Sequence, residues 1–222
     1  MIEFLAAIAV FLAAHILPAA TGLRAALIGR FGRPAYLALY SLVSLATIAW
    51  VIVAALAAPY IELWPPSRAL ALVPIIAMLP ACILATAIDQ PAPLSIGFRA
   101  GLPDPRRAGL ATLLRHPLLW AFFLWAASHL VANGDLVSVI LFGSLAAFSV
   151  GSMRRLERRA RDRLAPADYA TAVTLTGGSL GARLRRVASL QGVVDVIEGV
   201  TLYAALLYLH GPVIGVDPLA WL

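Results

Sequence analysis

Long apolar blocks alternate with short polar segments along the chain, and this pattern predicts helices that cross a membrane. The blocks are about 17 to 23 residues long, and about 20 helical residues span the roughly 30 Å hydrocarbon core of a bilayer. We therefore expect an all-α polytopic membrane helical bundle, formed as one transmembrane domain over residues 1–222. The six expected spans are residues 2–20, 36–58, 68–88, 117–133, 135–152 and 192–210.

The stretch from residue 113 to residue 150 shows most clearly where one span ends and the next begins. Pro117 suits the first helical position. The backbone N–H at that position has no partner within the helix, so proline loses nothing by lacking it, and its φ is already helical. Gly134 can take the left-handed conformation past a helix end, and Asp135 can cap the N–H groups of the following helix. The sequence thus predicts two membrane helices joined by a three-residue turn at 133–135.

The connecting segments alternate between segments with and without basic residues, and this alternation predicts the orientation of the chain. Segment 59–67 and the turn at 133–135 contain none, whereas segment 153–191 contains nine arginines. Basic loops remain in the cytoplasm, so we expect both termini on the non-cytoplasmic side. Arg68 is the first residue of the third expected span, and the other basic residues lie in segments 21–35 and 89–116: Arg24, Arg30, Arg33, Arg99, Arg106, Arg107 and Arg115.

Composition agrees with a membrane protein and narrows the expected partners. The chain is 62% hydrophobic and 13% charged over 222 residues, far more apolar than a soluble domain of that length. Its net charge of +6 comes from arginines in connecting segments, which favours membrane lipids rather than nucleic acid as partners. Cys82 is the single cysteine, so no intrachain disulfide can form. Glu3 makes the N-terminus acidic, so residues 2–20 are expected to be a retained span rather than a cleaved signal.

Two carboxylates enter the last span near its cytoplasmic end. Asp195 and Glu198 are three residues apart and share a helical face with Gln191. Both lie within about 10 Å of the start of the span. One interpretation is a pair that reaches the interface and is neutralised by nearby arginines; the other is a proton-handling or substrate-facing pair. Together with His116, they are the candidate catalytic residues.

The four histidines are the strongest candidates for cofactor chemistry, because imidazole within an apolar helix needs a partner. His116 and His129 are separated by about 20 Å along one helix and lie on roughly opposite faces, so they cannot share a metal. His15 and His129 are offset by about 12 Å along the membrane normal, a distance that a metal between two imidazoles can bridge. His210 ends the last span on the outer side and is the alternative partner of His129.

The motifs around these histidines favour haem over other metal centres. The chain contains no HExxH or CxxCH motif and no set of cysteine ligands. Histidines spread over separate helices suit haem better than catalytic zinc, because bis-imidazole ligation of iron needs only two of them.

Several runs of the chain resemble the NnrU family of bacterial membrane proteins. They are HILP at 15–18, LYSLVSLA at 39–46, RHPLLWAFFLWAASHLVANGDLVSVILFGS at 115–144 and LHGPVIGVDPL at 209–219. That family is named for a link to nitrite and nitric oxide reductase expression in denitrifiers. It is also similar to the zeta-carotene cis-trans isomerase, an enzyme that uses haem b.

This resemblance implies haem b held by His15 and His129 in the bacterial cytoplasmic membrane. It further implies redox-gated cis-trans isomerisation of a lipophilic polyene, or another haem- or denitrification-linked role.

A second resemblance competes with the first. Arg115, His116 and Pro117 match a motif at a helix start in membrane methyltransferases similar to isoprenylcysteine carboxyl methyltransferase, where it helps to bind S-adenosylmethionine. Glu157 and Tyr169 loosely match the later part of that motif, but position 158 is arginine where a second glutamate is expected. A third alternative is a non-enzymatic role in haem or nitric oxide sensing, or in assembly of a respiratory complex.

Overall fold

A computed structural model describes residues 1–96, 101–102 and 109–221, and these residues are predominantly helical. The helices are α1 (Ile2–Ala20), α2 (Leu23–Phe31), α3 (Arg33–Leu56), α4 (Arg68–Ala85), α5 (Pro117–Asn133), α6 (Leu136–Arg163), α7 (Pro166–Leu175), α8 (Leu180–Val187) and α9 (Leu190–Ile214). Short 3₁₀ turns cover Thr86–Asp89, Leu110–Thr112 and Pro218–Trp221. The chain forms two compact units, one of Met1–Leu63 with Asp135–Val137 and one of Trp64–Gly134 with Ser138–Leu222.

Each predicted span corresponds to a helix. Five helices are long and apolar enough to cross a membrane: α1, α3, α4 with its extension to Asp89, α6 and α9. The sixth, α5, is apolar but has only 17 residues. The orientation of the chain remains a prediction, and Arg99, Arg106 and Arg107, on which it partly depends, lie outside the described residues.

The observed helix ends show which of the boundaries could be predicted from the sequence. As expected, α5 begins at Pro117, and Gly134 ends it in the left-handed conformation at φ 70°. The prediction that the last span ends at His210 is wrong, because α9 continues through Gly211 and Pro212 to Ile214. Pro212 lacks the N–H that would donate to the carbonyl one turn earlier, but the helix still closes beyond it, where Gly215 N–H donates to the Gly211 carbonyl at 2.8 Å.

The first unit is built on the packing of α1 against α3, with α2 in contact with both. The indole Nε1 of Trp50 on α3 donates to Glu3 on α1 at 3.3 Å. Further along α1, the His15 Nε2 lies 3.0 Å from the Ser44 hydroxyl of α3. These contacts cross-link the two helices at two different levels.

In the second unit, α4 packs between α5 and α9. Ala81 and Leu84 on α4 meet Ala121 on α5 in a buried core. On the other side, the buried Gly199 of α9 lies directly against the backbone of Ile83, where a Cβ atom would clash. Small residues let membrane helices approach this closely, and the approach strengthens their van der Waals contact.

Asp195 anchors one end of this unit through a hydrogen-bond network around its buried carboxylate. Its carboxylate accepts hydrogen bonds from Gln90 Nε2 at 2.7 Å, Gln191 Nε2 at 2.8 Å and Leu110 N at 2.9 Å. The Gln90 amide oxygen in turn accepts from Ala111 N at 3.0 Å. A buried carboxylate is tolerated when its lone pairs are satisfied in this way. The network therefore joins α9 to the segments that follow α4 and precede α5.

Gly199→Ala is expected to lower the melting temperature of the purified protein in detergent by several degrees. The added methyl group meets the Ile83 backbone, and overpacking of this kind costs about 1–3 kcal/mol. Gly211→Ala on the same helix is the matched control, because a Cβ there has nothing within 4 Å. Equal melting temperatures for the two variants would contradict this packing.

Asp195→Ala is expected to destabilise the protein by about 3 kcal/mol, because it leaves buried amide and backbone donors unpaired. That loss corresponds to a fall of roughly 6–12 °C in melting temperature, measured by thermal unfolding in detergent. Glu198→Ala serves as the control, since Glu198 is exposed on the same helix. A fall of similar size in both variants would show that the Asp195 network is not the cause.

Candidate functional site

A cavity of about 470 Å³ lies among α4, α5, α6, α9 and the chain that follows α9. Its lining is predominantly apolar and aromatic, and the polar groups include two imidazoles. Mostly apolar walls with a few placed polar groups are typical of small-molecule sites. The principal lining residues are Pro74, Ile75, Met78, Trp125, His129, Asn133, Phe142, Tyr203, Leu207, His210, Val216 and Pro218.

His129 is held by its own helix. The Nδ1 atom of its ring lies 2.8 Å from the Trp125 carbonyl, one turn earlier on α5. Its ring also packs against Trp125 and against Phe142 of α6, with centroids 6.0 and 5.4 Å apart. These contacts restrict the rotation of the imidazole and hold it at the cavity wall.

His210 is held by a fold-back of the chain rather than by its helix. Gly215 ends α9 with φ 86°, a left-handed conformation that favours glycine. The chain then returns, and the Val216 carbonyl lies 2.6 Å from the His210 Nδ1. Val216 and Pro218 themselves line the cavity. The C-terminal segment thus both closes the cavity and orients His210.

The two histidines share one tautomer. A carbonyl oxygen only accepts hydrogen bonds, so each Nδ1 must carry the proton and donate it. Each Nε2 then keeps its lone pair, and neither has a hydrogen-bond partner among the described residues. A backbone carbonyl that fixes Nδ1–H while Nε2 is available is the usual setting of a metal-binding histidine.

The cavity fits a cofactor that needs two protein ligands. Among the described residues there is no group of three or more His, Cys, Asp or Glu side chains placed to hold a metal ion. A three-ligand zinc site is therefore not assembled in this part of the chain. Two imidazoles in an apolar cavity would suit a group that takes two histidine ligands, such as haem.

His15 has a different environment, within the first unit. Its Nδ1 donates to the Phe11 carbonyl at 2.7 Å, and its Nε2 accepts from the Ser44 hydroxyl at 3.0 Å. Ligation by this Nε2 would require Ser44 to release it. The pairing of His15 with His129 remains a prediction, because the two residues belong to different compact units.

His116 lies at the start of α5 in a cluster of polar side chains. Its ring is buried, with Nε2 3.5 Å from a Glu157 oxygen, and the other oxygen of Glu157 is 3.1 Å from Arg115. Tyr169 donates to that same oxygen at 3.0 Å. Burial lowers the pKa of His116 below its usual value, an effect that nearby Glu157 partly offsets. His116 is therefore neutral at pH 7.

The two carboxylates of the last span lie in different environments. Asp195 is completely buried with its oxygens satisfied, whereas Glu198 is exposed. The structure therefore does not assemble them into one site. Gln90, which completes the Asp195 network, was not singled out from the sequence, because nothing in the pattern links it to a residue 105 positions away.

The remaining cavity residues were also not identified from the sequence, although helical periodicity could have identified one of them. Trp125 precedes His129 by four residues, so helical periodicity places the two on the same face. Phe142 and Tyr203 lie on other helices, and no local pattern connects them with His129.

Comparison with known proteins gives one match. The family described as NnrU protein matches residues 3–218, which is nearly the whole chain. No curated protein and no solved structure matches this sequence. The match confirms the resemblance found in the sequence motifs, and the chain belongs to the NnrU family.

Proposed function

We propose that this NnrU-family membrane protein binds haem b in the cavity between α4, α5 and α9, where His129 and His210 would hold its iron. The observation that carries the proposal is the pair of imidazoles in one cavity, each with Nδ1–H held by a backbone carbonyl. His15 remains the alternative second ligand, as the resemblance to the isomerase implies.

The surroundings of the two rings favour metal binding. Donation from Nδ1–H to a carbonyl makes the opposite Nε2 a better ligand and fixes its direction. Trp125 and Phe142 restrict His129 from two sides. The apolar lining limits the access of water, which tunes the potential of a bound metal.

The proposed activity is cis-trans isomerisation of a lipophilic polyene. When bound, haem supplies one-electron redox chemistry, and electron donation into a conjugated double bond lowers its barrier to rotation. The side chains of Trp125, Phe142 and Tyr203 supply flat surfaces for a conjugated chain. The Val216–Pro218 segment closes one side of the cavity and keeps His210 in place.

The purified protein in detergent is expected to show a visible haem band. His129→Ala should lower the haem content per protein at least tenfold, because it removes a ligand. His210→Ala should have a similar effect, whereas His15→Ala should leave the band unchanged. The measurement is the absorption spectrum, scaled by protein concentration.

Added imidazole provides the control for folding. The variant His129→Gly leaves room for free imidazole. Recovery of the haem band when imidazole is added shows that the variant lost a ligand and kept its fold. An unchanged band in both His129→Ala and His210→Ala would contradict the proposal. Loss of the band in His15→Ala, but not in His210→Ala, would make His15 the second ligand.

Methyl transfer from S-adenosylmethionine is the second candidate. It is favoured by one observation. Glu157 contacts both His116 and Tyr169, although the three residues come from different helical segments. All three match the methyltransferase motif. Arg158 occupies the position of the second glutamate and is exposed. The cluster therefore has only one of the two carboxylates that the methyltransferase motif contains.

If this second function holds, a colourless preparation will bind S-adenosylmethionine in calorimetry, and Glu157→Gln will abolish binding. The substitution removes the negative charge that pairs with Arg115 and replaces one of the two acceptor oxygens with an amide donor, while the other oxygen can still accept from Tyr169. Asp162→Asn, an exposed position on the same helix, is the matched control and should bind normally. A colourless protein that binds neither haem nor S-adenosylmethionine would instead favour a non-enzymatic sensing or assembly role.

A further inference from the structure

Helix α8 is placed where a membrane surface would meet the protein. It ends at Val187, and only Ala188 and Ser189 separate it from α9, which is long and apolar enough to cross a membrane. Leu180 and Leu184 on α8 are more than half exposed, as is Leu190 at the start of α9. Exposed leucines beside arginines are typical of helices that lie in the interface. α8 is therefore expected at the level of the lipid headgroups.

Two arginines on α8 direct their guanidinium groups towards the protein. Arg183 donates from Nη1 to the Leu113 carbonyl at 3.0 Å, and Arg186 donates from Nη2 to the Gly177 carbonyl at 2.6 Å. The Nε atoms of both side chains are buried without a hydrogen-bond partner among the described residues. Buried donors are nearly always paired, so two on neighbouring turns indicate an acceptor not supplied by this part of the chain.

The charge of these two arginines is also uncompensated. In the described part of the chain, the ion pair between an arginine and a carboxylate is that of Arg115 with Glu157. Among the residues that the structure describes, the hydrogen-bond acceptors of Arg183 and Arg186 are carbonyl oxygens, which carry no net charge. Partly buried cations without a carboxylate favour an anionic ligand.

We propose that Arg183 and Arg186 bind the phosphate of an anionic phospholipid in the leaflet next to α8. A guanidinium is planar and positively charged, and its outer N–H groups match the oxygens of a phosphate. The lipid's acyl chains would then lie beside Leu180, Leu184 and Leu190, which are exposed at the same level. This site is independent of the proposed haem cavity, which lies near the opposite end of α9.

Native mass spectrometry of the detergent-purified protein tests this site. Phosphatidylglycerol and cardiolipin are each added at increasing concentration, with phosphatidylcholine as the zwitterionic comparison. The Arg183→Gln/Arg186→Gln double variant is expected to retain anionic lipid roughly tenfold or more weakly, since each arginine near a headgroup contributes to binding. Arg185→Gln, an exposed arginine on the same helix, is the matched control and should retain the lipid.

Two further results of these experiments would distinguish a lipid site from attraction by overall charge and from a site for free phosphate. An equal loss in Arg185→Gln would show that overall charge, rather than this pair, attracts the lipid, and would overturn the proposal. Inorganic phosphate that binds in place of the lipid at equal concentration would show a site for free phosphate, which also overturns it. An unchanged melting temperature and elution profile of the double variant confirm that its loss of lipid is not a loss of fold.

Discussion

Polar groups on the membrane helices depend on partners within the chain, because the interior of a bilayer supplies none. The histidines on the membrane helices show how strictly this applies. His15 and His129 both donate Nδ1–H to the carbonyl one turn earlier on their own helix. This local bond settles the tautomer of each ring. What distinguishes them is Nε2, which accepts from Ser44 in His15 and is directed to a cavity in His129.

The length and order of the helices could be predicted from the sequence, because hydrocarbon thickness dictates how long an apolar block must be. The start of α5 at Pro117 and the left-handed Gly134 followed from steric rules alone. The end of α9 did not, because Pro212 is tolerated in a last turn that closes at Gly215. The helices in the connecting segments, such as α8, were also missed, because short amphipathic helices depend on their surroundings more than on propensity.

The candidate ligands of the site could be predicted from the sequence, but their position in one cavity could not. His129 and His210 were both recognised as candidate ligands, because imidazole is rare and costly in apolar helices. Their position in one cavity depends on the packing of α4 between α5 and α9 and on the fold-back after Gly215. The contact of Glu157 with Arg115 joins residues 42 positions apart. Neither arrangement follows from local periodicity.

The two candidate chemistries of this protein lie at opposite ends of α5, since His116 and His129 are separated by about 20 Å along its axis. A ligand at one end therefore cannot contact the other directly. Coupling between them would have to pass through the packing of α4 against α5 and α9, where the Asp195 network fixes one end. That network surrounds a buried and satisfied carboxylate, so it stabilises this arrangement of the helices, and allosteric coupling would require a second arrangement.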